Sequence, residues 1–215
     1  MQRGSAAARW MPLLPDLLTT AFFLVVWARP LAFGALSVKT AMLTMLLEFF
    51  LVHATGFFAA FANAPETSRL RRIGSLVVLS LFYFSMIGAF AWSFGEWWPL
   101  AAFAWVLAGK IAWVRSSGKD DDRDDAMFRQ MAAWAGSVAL FLGGVVVTSV
   151  LDVPRWGMTR ALQPGFGLDM ESSGLWESEP HRVVAFGALY FGGLLLAKAT
   201  LALVDARRAR AGHGR

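Results

Sequence analysis

The sequence predicts an all-α protein, a polytopic bundle of about six transmembrane helices forming a single membrane domain over residues 1–215. Three observations predict it. Apolar residues make up 57% of the chain and charged residues 16%, against roughly 45–50% and about 25% in soluble domains; the mean hydropathy is +0.51. Eighteen Phe, ten Trp and nine Met require more apolar surroundings than one small aqueous core provides. The apolar runs are continuous and do not alternate at every second residue, so helices, not the strands of a barrel, are expected to cross the bilayer. Disorder, collagen-like repeats and a soluble enzyme all fit these figures poorly.

The runs fall at about 13–28, 38–62, 73–93, 99–114, 131–151 and 183–204. A crossing helix needs roughly 20 residues, with about 17–25 tolerated. The second, third, fifth and sixth runs meet this outright; the first and fourth are shorter, with Pro15 and Pro99 near their starts. Arg3 and Arg9 ahead of the first run imitate a signal peptide. Arg29 and Pro30 interrupt before any convincing cleavage site, so the segment is expected to be retained.

Two connections are long. Residues 116–130, SSGKDDDRDDAMFRQ, form a charged cytoplasmic loop in which Asp120, Asp122 and Asp124 copy the first ligand spacings of a calcium loop. The match then fails, because Asp125 stands where glycine and Met131 where glutamate is needed. Residues 152–182 form an external loop with five acids and three Arg. Its Trp156, Phe166, Leu175 and Trp176 are too apolar for a fully solvated linker, so a partly ordered cap is expected. Ser178-Glu179-Pro180 reads as a helix start.

Orientation follows from the basic residues. With the N-terminus in the cytoplasm, Arg3, Arg9, Arg69, Arg71, Arg72, Arg115, Lys119, Arg123, Arg129, Arg207, Arg208, Arg210 and Arg215 face inside, thirteen in all. Arg29, Lys39, Arg155, Arg160 and Arg182, five, face outside. Both termini are therefore expected in the cytoplasm. Trp92, Trp97 and Trp98 crowd one short turn, and Trp27, Trp113 and Trp134 lie near other span ends, where an indole keeps its N–H wet and its ring in lipid. The net charge of +5 is dispersed among the spans and not gathered on one polar face, so nucleic acid is not an expected partner. Small residues at Ala104, Ala108 and Ala112, at Ala135, Ala139 and Gly143, and at Ala188 and Gly192 predict faces of close helix approach.

Chemistry must come from few groups. The chain has no Cys, which removes disulfides, thiolate catalysis and Cys-ligated metals. Glu48, His53, Lys110 and Lys198 are the ionisable residues noted inside apolar runs, and such groups are functional candidates by default. At 1.5 Å per residue Glu48 lies ~15 Å and Lys110 ~16 Å from the outer ends, with His53 and Lys198 nearer the inner interface. Glu48 shares a face with Ala41, Thr44, Thr55, Ala59 and Ala62, whereas His53 stands roughly 140° away with Met42, Leu46, Phe49 and Phe57. The Glu48 stripe is expected to face the bundle, since an ionised carboxylate in lipid costs at least ~3 kcal/mol.

Three roles for Glu48 stay open: a structural acid held by Thr44 or Lys110, a proton or cation site in a transport path, and a catalytic acid or base. Lys198 is expected to reach the inner headgroups. No two of His53, His181 and His213 share a depth, so a bis-imidazole haem is not expected. Glu177, Glu179 and His181 could hold a metal, but acids at a helix N-terminus are favoured by its dipole alone, and neither a metal nor a cofactor is expected. No phosphate loop, nucleophile elbow or HExxH run is present.

The segments MLLEFFLVHATGFF and PHRVVAFGALYFGGLLLAKATLALVD resemble bacterial six-span integral membrane proteins of unknown activity, through Glu48 and Lys198 over about a quarter of the chain. The resemblance implies a multi-pass protein of the bacterial inner membrane and no particular reaction. Two function classes follow: a small transporter or permeation protein using Glu48 with Thr44, Thr55 and Lys110, and a non-catalytic scaffold contacting a membrane-protein partner or a second copy of itself. An intramembrane enzyme ranks third.

Overall fold

The computed structural model describes residues 10–62, 69–116, 123–168 and 175–212. A 3₁₀ turn, Met11–Leu13, leads into α1 (Leu14–Ala28); α2 (Ser37–Ala62), α3 (Arg69–Phe94), α4 (Trp98–Ser116) and α5 (Arg123–Val150) follow. A second 3₁₀ turn, Arg160–Phe166, and the short α6 (Leu175–Ser178) precede α7 (Pro180–Gly212). No strand occurs among the described residues. Five segments are long and apolar enough to cross a membrane: Met11–Ala28, Ser37–Phe58, Ile73–Phe94, Met131–Val150 and Pro180–Val204. The architecture is that of an integral membrane protein with helical spans.

Several boundaries differ from the sequence expectation. The first span gains length because the 3₁₀ turn prolongs it to Met11. The fourth run forms a helix, but its described apolar stretch, Trp98–Leu107, is short; the side chain of Lys110 lies outside the described residues. The charged 116–130 connection is partly helical, since α5 begins at Arg123. Asp120 and Asp122 of the calcium-like spacing lie outside the described residues. The last helix begins at Pro180 and continues past Val204 to Gly212.

The chain divides into two compact units, Met1–Met42 with Leu140–Arg215, and Leu43–Ala139. In the first, the terminal unit, α1 lies antiparallel to α7. Phe23 packs flat on Phe191 with ring centroids 5.6 Å apart, and it approaches Gly187 so closely that a Cβ there would lie 2.2 Å from its ring. Glycine is required at 187 for this contact. One turn earlier on α1, Thr20 faces Gly192, and Asp16 faces Lys198. Partners thus advance along α7 as α1 is followed backwards, as an antiparallel register demands. The end of α5 joins through Phe141, which meets Phe186 and Tyr190 edge-on.

The second, central unit has a core of Leu47, Phe50 and Ala54 from α2, Tyr83 and Ile87 from α3, and Phe103 from α4. Spacing of three and four residues on α2 makes one apolar stripe at the helical period. Phe103 meets Tyr83 at 6.1 Å and Phe84 edge-on at 5.2 Å. The α3–α4 turn closes at Gly95, whose φ of 65° places it in the left-handed region. Glu96 N–H donates to Ala91 O at 2.9 Å and Gly95 N–H to Trp92 O at 3.1 Å, the paired bonds of a Schellman cap. Pro99 then opens α4 where no N–H is needed.

One packing expectation is corrected. Ala135, Ala139 and Gly143 are exposed, and so is Ala104. The packed side chains of α5 are instead Trp134 in the central unit and Phe141 and Thr148 in the terminal unit. Trp134 lies over Gly56 in the central unit. Small residues permit close approach, but the ring supplies the contact area that dispersion needs.

Candidate functional site

Glu48 stands midway along α2, half-buried, with half-buried Thr44 one turn before it; neither is without an interaction. At about 100° per residue, Glu48 falls between two packed faces of the helix. One carries Leu47, Phe50 and Ala54 into the core. The other is covered by Trp134, whose Nε1–H donates to Val52 O at 2.8 Å. Ala41 is buried while Phe49 and Phe57 are exposed, as the sequence pattern implied; Met42, grouped with the outward residues, is buried.

Thr55 is turned back on its own helix, donating to Leu51 O at 2.6 Å. His53 is also locally bound, its Nδ1 lying 2.8 Å from Phe49 O and its ring 4.1 Å from that of Phe49. A cavity of about 10 Å³ in the central unit is lined by Leu43, Leu46, Leu47, Phe50, Ile87, Phe90 and Pro99. It is wholly apolar and no larger than one water needs, and Glu48 does not line it.

The terminal unit holds two polar constellations. Lys198 Nζ lies 2.6 Å from Asp16 Oδ2, the lysine side chain half-exposed at 49% and the aspartate at 10%. The ammonium therefore meets a carboxylate on the facing helix and does not simply extend to headgroups. The sequence reading passed over Asp16 because it sits at the edge of the first apolar run. Its signal was depth: it lies ~7 Å from the start of its span and Lys198 ~9 Å from the end of the antiparallel one.

At the other end of the pair, Arg182 collects the helix terminus of α5. Its guanidinium donates to Thr148 O at 2.7 Å, Leu151 O at 2.8 Å and Ser149 O at 3.4 Å. These are carbonyls that the end of a helix leaves without internal donors, and a cation there also suits the dipole. Nε of Arg182 binds Glu179, immediately before Pro180, and Arg155 reaches the same carboxylate at 3.3 Å. The hydrogen bond from Arg182 holds the Glu179 carboxyl below its ordinary pKa; partial burial opposes this, and the charges of Arg182, His181 and Arg155 assist it.

This network fixes the start of the 152–182 connection. Trp27 Nε1–H donates to Pro154 O at 2.9 Å, Gly157 N–H donates to Trp27 O at 3.2 Å, and the Trp27 and Trp156 rings lie 4.6 Å apart. Gly157 abuts the Ala28 carbonyl so tightly that a Cβ would sit 1.9 Å from its oxygen. Further along, Gln163 Nε2–H donates to Ser178 O at 2.9 Å, and Met158 and Phe166 are buried. Of the apolar residues that suggested a cap, Phe166 is buried while Trp156 and Leu175 are exposed, and residues 169–174 lie outside the described residues.

The possible metal cluster is not assembled. Glu179 is committed to two arginines, and among the described residues no three His, Asp or Glu side chains converge on a metal position. Arg182, read from sequence only as an orienting charge, proves to be a structural hub; its i, i+3 spacing from Glu179 was the available signal. No protein-family model, curated protein or solved structure matches the chain.

Proposed function

We propose that this is a small transport or permeation protein of a bacterial inner membrane, with Glu48 as its proton- or cation-exchanging group. The observation that supports this is the place of Glu48, half-buried at the middle of a 22-residue span. A carboxylate at that depth is costly to keep and is by default a site of function. Thr44 adds a neutral oxygen on the same face. The proposal includes six spans, with α4 as the short one, and both termini in the cytoplasm, following the thirteen-to-five division of basic residues. The surroundings are the lipid bilayer, with a membrane-protein partner or a second copy as a further contact.

The test is flux through the purified protein in sealed vesicles. Glu48→Gln is expected to insert and fold normally while abolishing pH-dependent flux, and Glu48→Asp to retain part of it. Undiminished pH-dependent flux in Glu48→Gln removes Glu48 as the site. A second reading, a non-catalytic scaffold, is favoured by the closed polar network around Arg182 and by the small apolar cavity beside Phe50. On that reading Glu48→Gln lowers thermal stability instead, and Lys110→Met restores part of the loss, because removing both charges is tolerated where removing one is not.

A further inference from the structure

Between α1 and α2 the chain reads Pro30-Leu31-Ala32-Phe33-Gly34-Ala35-Leu36, seven residues without a polar side chain. Residues 31–36 are all exposed, Phe33 at 62%. Connections in water are ordinarily built from polar turn residues, and contiguous exposed apolar surface marks something that covers it. The second connection at this end of the terminal unit provides the contrast. Residues 151–160 carry Asp152, Arg155 and Arg160 and are fastened through Glu179 and Arg182.

Two observations identify what covers 30–36. Half of its backbone donors find partners within the segment and its flanks: Ala32 N–H reaches Arg29 O at 3.0 Å and Gly34 N–H reaches Leu31 O at 3.1 Å, while the flanking Ser37 N–H closes on Gly34 O at 3.2 Å. Phe33 N–H donates to Ser37 Oγ at 3.2 Å, and that hydroxyl donates to Gly34 O at 2.6 Å. An aqueous loop can leave such groups to water, whereas hydrocarbon offers no replacement. Phe33 is also turned back along α1, its ring 5.6 Å from that of Phe22, six residues or ~9 Å before the helix end. Gly34, at φ 99°, makes the reversal possible.

We propose that residues 30–36 form an interfacial element embedded in lipid, seated at the headgroup–acyl boundary of the leaflet in which α1 ends. A protein-docking patch would carry a polar rim, and residues 31–36 supply none.

The absence of Cys allows a single spin label to report on this directly. In phosphatidylcholine vesicles, labelled Phe33→Cys and, separately, Leu31→Cys are expected to collide with lipid-soluble oxygen several-fold more than with a water-soluble nickel chelate. Leu24→Cys on the exposed face of α1 serves as the lipid reference and Asp152→Cys as the aqueous one. Labels at 31 and 33 that behave like the one at 152 overturn the proposal. Labels shielded from both reagents also overturn it, since they mean that protein covers the segment.

Discussion

In the terminal unit Arg182 holds three carbonyls and a carboxylate at one end of α7, and Lys198 meets Asp16 nearer the other. In the central unit Phe50 meets Tyr83 edge to face and Tyr83 meets Phe103 at a tilt, with alkyl groups filling between them. The difference bears on how a helix finds its register in lipid. Lipid tails are as apolar as leucine, so burial alone does not distinguish one helix face from another. The terminal unit solves this with bonds whose atoms must line up, together with a glycine at 187 against which the Phe23 ring packs. The central unit relies on ring shape, which fixes register through dispersion at close contact.

The largest test of this contrast removes the hub. Arg182→Ala leaves the terminal carbonyls of α5 and the Glu179 carboxylate without their main donor; the pair is partly exposed, so the loss is that of charge-assisted hydrogen bonds, about 1.5–3 kcal/mol. Arg182→Lys should recover part of this, because one ammonium cannot reproduce a planar fork of donors. Thermal unfolding in detergent measures both. A loss below about 1 kcal/mol for Arg182→Ala would mean that solvent or Arg155 replaces the guanidinium, and that directional bonding does not hold the terminal unit.

A smaller effect should appear on acidification. The Glu179 carboxyl is held below its ordinary pKa in the folded chain, chiefly by the Arg182 hydrogen bond. Its contribution to stability is therefore complete above the unfolded value of about 4.3 and is lost as pH falls through the lower folded value. The thermal midpoint should drop through that acidic window. In Glu179→Gln it should be lower at neutral pH and lose this part of its acid dependence. An unchanged acid limb in Glu179→Gln would assign the acid sensitivity to other carboxylates.

The features legible in the sequence are those that depend on one helix at a time. Continuous apolar runs set four of the five spans, and Ser178-Glu179-Pro180 set the start of α7, because length, hydropathy and capping act locally. The Asp16–Lys198 pair was not legible, since it exists only once α1 and α7 lie antiparallel in a particular register. The packing of α5 was misread for a related reason. Its alanine and glycine stripe is suited to close approach, but what it approaches is decided by neighbours, and Trp134, Phe141 and Thr148 are the packed side chains instead. Glu48 was found by depth and helical phase, which locate a carboxylate without naming its chemistry.

The smallest effect sharpens the comparison from the central side, where Trp134 supplies a directional bond to a unit otherwise held by shape. Its Nε1–H donates to Val52 O at 2.8 Å, and its ring lies against Gly56, where a Cβ would approach within 2.4 Å. Trp134→Phe removes the donor while keeping an aromatic face over the glycine. Val52 O is a helix-interior carbonyl with its own backbone donor available at residue 56, so losing the indole does not orphan it. The cost should be that of one hydrogen bond and a smaller ring, about 1 kcal/mol, well short of Arg182→Ala. Denaturant-free thermal unfolding of the two variants side by side ranks them. If Trp134→Phe proved as damaging as Arg182→Ala, the central unit would depend on directional bonding as much as the terminal one, and the distinction between ring shape and polar alignment would fail.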